Sequence, residues 1–135
     1  MGNANTLVIQ RFFNEVLNDG NLPVLETLIA RDFIDHTPGP GQTAGRTGVQ
    51  AKIERLRRAF PDIRFVLEDA AAEGDTVAVR YHWTGTQTGS FLDMAPTGKP
   101  VRVRGMDFYR FRDGAVAEHW DILDQLGLLR QLGRA

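Results

Sequence analysis

The first 60 residues carry three stretches in which apolar side chains recur at helical spacing. In residues 5–19 the apolar side chains share one face, and an Asp-Gly-Asn stop follows them. A second helix of about nine residues is predicted from Leu22, with Asn21 as its N-cap. A third helix is predicted between a Thr47 cap and Pro61, which cannot continue it. The N-terminal part of the chain is therefore expected to be helical.

Between the second and third helices the helical pattern breaks. Asp32 to Thr37 is predicted to be a short extended piece, and it carries the histidine His36. Pro38 to Gly45 contains two prolines and three glycines, a composition that indicates a loop. His36 is therefore expected beside a loop, where the mouth of a pocket would lie.

From Asp62 onward the apolar residues recur at every second position, which is the period of β-strands. In the second of four predicted strands, this alternation gives one buried face, formed by Val77, Val79, Tyr81 and Trp83. Helices followed by consecutive strands indicate an α+β domain, with the helices on one side of an antiparallel sheet. A strongly curved sheet wrapped over helices leaves a cone with one open end, a frequent place for a small-molecule pocket. Residues 1–135 are predicted to form this single domain.

The last two predicted strands are joined by Asp113-Gly114, the strongest short-range signal for a β-hairpin. Two loop lengths are compatible with this signal. A two-residue loop would place His119 opposite Phe108. A three-residue loop, closed by Gly114 in a left-handed conformation, would place His119 opposite Asp107.

We favour the three-residue loop because it sorts the hairpin side chains by character. One face then carries small, aromatic and acidic side chains, namely Asp107, Tyr109, Phe111, Ala117, His119 and Asp121. The other face carries mostly charged side chains, namely Arg102, Arg104, Arg110, Arg112, Glu118 and Trp120. The first face is predicted to be the wall of a pocket.

Composition excludes several classes of function. A formal net charge of −1 provides no positive field that would attract nucleic acid or an anionic membrane. No segment has the roughly 20 apolar residues that a membrane span needs. The absence of cysteine excludes thiol nucleophiles and thiolate metal sites. No secretory signal pattern is present at the N-terminus, so a cytoplasmic location is expected.

Six short motifs stand out along the chain: Asp35-His36, Ala59-Phe60-Pro61-Asp62, Thr88-Gly89-Ser90-Phe91-Leu92, Pro96-Thr97-Gly98-Lys99, Phe111-Arg112-Asp113-Gly114 and Glu118-His119-Trp120-Asp121. Together they resemble the SnoaL-like polyketide cyclases, ester cyclases within the group of folds shared by nuclear transport factor 2 and ketosteroid isomerase. The resemblance extends over nearly the whole chain. It implies a cone-shaped α+β barrel that is usually a homodimer or larger and that uses no metal or cofactor.

The resemblance also implies a reaction. Characterised members of the family close a polyketide ring by intramolecular aldol condensation, with one strand-borne aspartate as general acid and base. By its position in the motif, that aspartate is Asp121 here. The same enzymes carry a histidine on the preceding strand, where this chain has Asp107, a difference that bears on substrate and reaction.

The chemistry of aldol closure gives Asp121 an independent rationale. A base must take a proton from a carbon between two carbonyls and then return it to the new alkoxide. A carboxylate in apolar surroundings suits this task, because desolvation disfavours its charged form. His119, two residues earlier, could stabilise an oxyanion or pair with Asp107. The structural alternative is that Asp121 merely caps the C-terminal turn or pairs with an arginine.

The remaining candidate site residues would contact a substrate. They are His36 at the expected mouth and four aromatic residues, Tyr81, Trp83, Tyr109 and Phe91. No metal site is expected, since no His-x-His or His-x-x-x-His spacing occurs, and no dinucleotide or phosphate-binding motif points to a cofactor.

The sequence thus favours a hydrophobic polycarbonyl substrate and a homodimer formed through the mixed apolar and charged outer face of the sheet. Two other functions stay open. One is a non-catalytic small-molecule-binding protein of the same fold. The other is an enzyme similar to limonene epoxide hydrolase, which needs an arginine between two aspartates inside the pocket.

Overall fold

The computed structural model of the chain describes residues 3–135. Its helices are α1 (Ala4–Arg11), continued by a π-helical segment (Phe12–Asn18), α2 (Leu25–Leu28), preceded by a 3-10 turn (Leu22–Val24), α3 (Gly45–Ala59) and α4 (Gln125–Gln131). Its strands are β1 (Ile29–Asp35), β2 (Arg64–Glu73), β3 (Thr76–Thr86), β4 (Pro100–Arg112) and β5 (Ala115–Leu123). Among these residues, no helix combines the length and apolar character needed to cross a membrane.

The predicted first helix is confirmed, and its C-terminal half is fastened to the sheet. Asn3 caps α1 by accepting a hydrogen bond from the Thr6 N–H at 3.0 Å. At the other end, the Asn18 side chain accepts from the Phe65 N–H at 2.6 Å and donates to the Phe65 carbonyl at 3.0 Å. The Arg57 guanidinium donates to the Asn18 carbonyl at 2.9 Å. These bonds hold the helix against β2 and α3.

The second predicted helix is shorter than expected. The α-helix ends at Leu28, because Ile29 already has extended backbone angles and opens β1. The predicted extended piece, Asp32 to Thr37, is therefore mostly the second half of a strand. For α3 the prediction of Thr47 as N-cap was wrong, since the helix starts at Gly45 and Ala44 precedes it without a side-chain cap.

The sheet confirms the predicted α+β class and changes its detail. Five strands follow the order β1-β5-β4-β3-β2, one more than the four predicted. Three neighbouring pairs are antiparallel, whereas β1 pairs with β5 in parallel, so the sheet is mixed. A parallel partner lies far away along the chain, and local sequence pattern does not indicate such a pairing.

At the turn the hairpin of β4 and β5 follows the two-residue alternative, with Arg112 opposite Ala115, but beyond it the pairing matches neither predicted register. Its loop has two residues, Asp113 and Gly114, both with positive φ (52° and 80°), as a type I′ turn requires. Beyond the loop, Ala117 is an extra residue in β5 that shifts the pairing by one position. Tyr109 then faces His119, and Asp107 faces Asp121.

The predicted sorting of side chains by face is nevertheless correct for the candidate residues Asp107, His119 and Asp121. Alternate residues of β4 are buried on the helix side of the sheet, namely Val101, Val103, Gly105, Asp107, Tyr109 and Phe111. The arginines of β4 point outward, where Arg110 lies 5.3 Å from the ring centre of Trp120 and 3.8 Å from Glu118. The helices cover the first face, and the space between them is the cavity described next.

Candidate active site

A cavity of about 1160 Å³ lies between the helices and the inner face of the sheet. Apolar and aromatic side chains form most of its wall: Phe12, Phe13, Leu17, Val49, Ile53, Leu56, Phe65, Trp83, Phe91, Val116, Leu123 and Leu128. Such a volume accommodates a multi-ring organic molecule, since ligand pockets commonly measure about 300–1,000 Å³. Polar side chains lie mainly on the wall formed by β4 and β5 and at the mouth.

Two carboxyl groups and an imidazole meet on the strand wall. The β4–β5 register places Asp107 and Asp121 directly opposite each other, and His119 is two residues before Asp121 on the same face. One nitrogen or oxygen atom from each of the three side chains lies within 4.8 Å of the others. The sequence therefore predicted the right cluster, although it assigned Asp107 to His119 as its cross-strand partner.

The imidazole of His119 lies between two carboxylates. Its Nδ1 is 3.2 Å from Asp35 Oδ1, and its Nε2 is 3.6 Å from Asp107 Oδ2. Burial on its own would lower the pKa of His119, but the hydrogen bonds and charges of Asp107 and Asp35 raise it to about 9. At neutral pH the ring is therefore an imidazolium.

Asp35 is the second partner of this imidazolium, and no role was predicted for it from the sequence. Burial would raise the pKa of Asp35, but hydrogen bonds with His119 and Gln42 lower it well below its usual range. The Gln42 amide donates to Asp35 Oδ2 at 2.9 Å, and the Thr37 N–H donates to Oδ1 at 3.0 Å. Asp35 is thus a fixed negative charge behind His119.

Asp107 is buried, and its side chain is about as little exposed as that of Asp35. The Tyr109 hydroxyl donates to its Oδ2 at 2.5 Å, whereas Oδ1 is buried and accepts no hydrogen bond from residues 3–135. Burial, together with the charge of Asp107, raises the pKa of both Tyr81 and Tyr109. Both phenols therefore stay protonated and act as hydrogen-bond donors.

Gly105 makes room for one of these phenols. It faces Tyr81 across the β3–β4 pair, and a Cβ at this position would lie 2.5 Å from the Tyr81 hydroxyl oxygen. No side chain fits there without displacing the phenol. Because Tyr81 lines the cavity, this small residue shapes the site.

Asp121 is held by Thr37, which is the other residue that sequence reasoning missed. The Thr37 hydroxyl donates a short hydrogen bond to Asp121 Oδ1, and the Asp121 N–H donates to Thr37 Oγ1 at 2.9 Å. Asp35 and Thr37 are two residues apart, so they project from the same side of the chain as it leaves β1. In the sequence, the apolar Phe33 stands two positions before Asp35, and this alternation was the signal that could have placed Asp35 and Thr37 on the inner side.

Four of the five predicted substrate-binding residues line the cavity, and one does not. Tyr81, Trp83, Tyr109 and Phe91 all line the cavity. His36 does not line it, contrary to the prediction. Its ring stacks on Trp120 at 4.3 Å between centres, and its Nε2 is 3.0 Å from Glu118. The reason is the strand alternation, which turns His36 outward between the inward-facing Asp35 and Thr37.

The mouth is bordered by three segments. They are the loop 38–40, the cationic side chains of α3 and the loop 90–95, which together hold most of the exposed residues that line the cavity. The loop 90–95 is anchored by the buried Gln87, whose amide donates to the Gly89 and Ala95 carbonyls at 3.2 Å and accepts from the Thr97 hydroxyl at 2.8 Å. The mouth is therefore built on a fixed polar anchor.

The chemistry of the site bears on two possibilities considered from the sequence, a metal site and an epoxide hydrolase. Asp107, His119 and Asp121 are close enough to share a cation, but an imidazolium has no free lone pair to bind a metal. A metal would therefore have to displace the proton of His119 before it could bind there. Throughout residues 3–135, no arginine forms a hydrogen bond or ion pair with Asp107 or Asp121. The arrangement expected for an epoxide hydrolase is therefore not present.

Comparison with known proteins gives consistent relatives. A family model described as SnoaL-like polyketide cyclase matches residues 7–132. The structure of TsrD from Streptomyces laurentii is similar with a TM-score of 0.90 and 29% identity, covering 100% of this chain and 99% of that one. IdmH from Streptomyces antibioticus, proposed to be a polyketide cyclase, is 33% identical with a TM-score of 0.83, covering 96% and 98%. A comparison with curated proteins finds no match.

Proposed function

Because the chain belongs to the SnoaL-like polyketide cyclase family, we propose that it catalyses a cofactor-independent acid/base reaction on a hydrophobic polycarbonyl molecule. The reaction is an intramolecular aldol cyclisation or an isomerisation. The observation that carries this proposal is the pair Asp107 and Asp121 beside the His119 imidazolium, on the wall of an otherwise largely apolar cavity.

In the first step, the Asp121 carboxylate takes a proton from a carbon that lies between two carbonyls. The C–H bond breaks, its electron pair moves into an enolate, and Asp121 becomes the carboxylic acid. The imidazolium of His119 lines the same cavity and stabilises the negative charge on the enolate oxygen. Thr37 orients the carboxyl group throughout, through the hydrogen bond to Oδ1.

In the second step, the enolate carbon attacks a ketone of the same molecule and a carbon–carbon bond closes the ring. The resulting alkoxide takes the proton back from Asp121, which regenerates the carboxylate. The unpartnered Oδ1 of Asp107 can accept a hydrogen bond from an enol or hydroxyl of the bound molecule. Asp107 and Asp35 both keep His119 charged, and Asp35, which acts only through His119, is a positioning residue.

The Asp121→Asn variant tests this proposal, with a tricyclic anthraquinone that carries a β-dicarbonyl side chain as probe, assayed both as the free acid and as its methyl ester. Ring closure is followed by chromatography and absorbance, and binding by calorimetry. We expect closure to fall at least about 100-fold, in the range of general acid/base contributions, while the dissociation constant changes little. Asp32→Asn is the control, because Asp32 is exposed on β1 and pairs with Arg112.

Two outcomes would contradict the proposal. Unchanged closure in Asp121→Asn would remove the catalytic role of this carboxyl group. Binding of the probe without closure by the wild type would favour a non-catalytic small-molecule-binding protein.

We also propose that the protein forms a homodimer through the outer face of the sheet. Support comes from exposed apolar side chains on this face, including Met106 (60% exposed) and Ile122 (80% exposed). The arginines and Glu118 around them would supply the polar rim of such an interface. A cytoplasmic location, which cell fractionation would test, completes the proposal.

A further inference from the structure

The mouth of the cavity carries cations that the acid/base proposal does not use. Lys52, Arg55 and Arg58 line it, and all three come from α3. They occupy every third position and follow one edge of the apolar stripe formed by Val49, Ile53 and Leu56. Since the net charge of the chain is −1, this concentration of positive charge is local.

Two of these cations have no side-chain partner in the part of the chain that the structure describes. Arg55 and Arg58 are exposed, and within residues 3–135 neither forms a hydrogen bond or ion pair with another side chain. Arg57, between them in sequence, is engaged with the Leu17 and Asn18 carbonyls at 2.7 and 2.9 Å. Lys52 lies 4.0 Å from Asp35 Oδ2. The opposing loop adds one acidic side chain, Asp93, to the mouth.

The interior has the opposite polarity. Three carboxyl groups, those of Asp35, Asp107 and Asp121, surround the single imidazolium of His119. An anionic group would therefore be repelled from the catalytic end of the cavity and attracted to the mouth. A guanidinium also offers a planar fork of donors that matches a carboxylate.

We propose that the substrate carries an ionised carboxylate, which Arg55 and Arg58 bind at the mouth while the polycarbonyl part extends towards Asp121. The two arginines are thus specificity-determining residues that select an acid over its ester and fix the direction in which the molecule enters. The inference rests on the proposed function in that the cavity is the substrate site. It does not depend on which reaction follows.

The test compares two matched probes, anthraquinone-2-carboxylic acid and its methyl ester, by calorimetric titration. We expect the wild type to bind the acid about fivefold more tightly than the ester, and added salt to reduce this preference. In Arg55→Glu/Arg58→Glu, affinity for the acid should fall about tenfold, while affinity for the ester stays within about twofold. Arg55→Gln/Arg58→Gln should show an intermediate loss and guards against misfolding caused by charge reversal.

The control is Arg130→Glu/Arg134→Glu, which makes the same change in net charge at exposed positions that do not line the cavity. It should retain the preference for the acid. Equal affinity of the wild type for acid and ester would overturn the inference, as would equal weakening of both probes in the α3 variant. Since these are binding measurements, failure here leaves the separate turnover test of Asp121→Asn unaffected.

Discussion

The charge state of His119 gives the most direct test of the site. The ring is buried between Asp35 and Asp107, and its pKa is raised from 6.5 to about 9. This rise in pKa means that folding stabilises the protonated ring over the neutral ring by about 3 kcal/mol. We therefore predict that proton binding at one buried histidine makes a sizeable part of the folding free energy depend on pH.

The direction of this pH dependence follows from whether the folded and the unfolded chain carry the proton at a given pH. Below pH 6.5 the folded and unfolded chains both carry it, so the stabilisation is fully present. Between pH 6.5 and about 9 the folded protein keeps the proton and the unfolded chain has lost it, so stability falls as pH rises. Urea unfolding at closely spaced pH values should show a loss of about 3 kcal/mol across this interval.

The Asp35→Asn variant identifies the cause. It removes one of the two negative charges beside the ring, 3.2 Å from Nδ1, and should lower the pKa of His119 by about one unit. The titration of the His119 ring by NMR measures this pKa directly. Asp32→Asn, an exposed residue of the same strand, should leave the titration unchanged. A titration midpoint near 6.5 in the wild type would refute the reasoning, as would the same midpoint in Asp35→Asn.

Three further predictions concern other parts of the molecule. Thr37→Val removes the hydroxyl that holds Asp121 with little change in volume; ring closure should slow about tenfold in kinetic assays while probe affinity is retained. Gly105→Ala places a methyl group 2.5 Å from the Tyr81 hydroxyl oxygen and should cost about 1–3 kcal/mol in urea unfolding, whereas Gly39→Ala, with 3.8 Å of clearance, should cost less. Ile122→Glu on the outer sheet face should shift the protein from dimer to monomer in sedimentation experiments, whereas Leu126→Glu on α4 should not.

The sequence predicted the cluster on β4 and β5 although the predicted register was wrong, because an error of two positions leaves each side chain on the same face of the sheet. The favoured three-residue loop and the observed pairing beyond the bulge differ by two positions in register, so both place odd-numbered residues opposite each other. Asp107, His119 and Asp121 therefore share a face in either case. The observed two-residue loop alone would have turned them apart, and only the extra residue Ala117 restores the match. No local pattern announces such a bulge.

The part of the site on β1 could not be predicted in the same way. The strand β1 is short, and its parallel partner β5 lies far along the chain. The sequence therefore predicted only a short extended segment that carries a histidine. For this reason His36 was predicted to line the site, although its neighbours Asp35 and Thr37 are the residues that contact His119 and Asp121. The sequence likewise gives no sign that the cations of α3 lie at the cavity mouth, because their position there depends on how the helix packs on the sheet.

The extra residue Ala117 has a consequence for how such a protein can evolve. Loss of this one codon would remove the bulge but leave Tyr109 opposite His119 and Asp107 opposite Asp121, because the deleted residue is the unpaired one. Insertion of one residue directly before His119 would instead shift the pairing by one position, so that His119 and Asp121 project to the outside and Trp120 enters the cavity. Substitutions can retune this cavity gradually, but an insertion at this point would remove the proposed acid/base residues from it in a single mutational event.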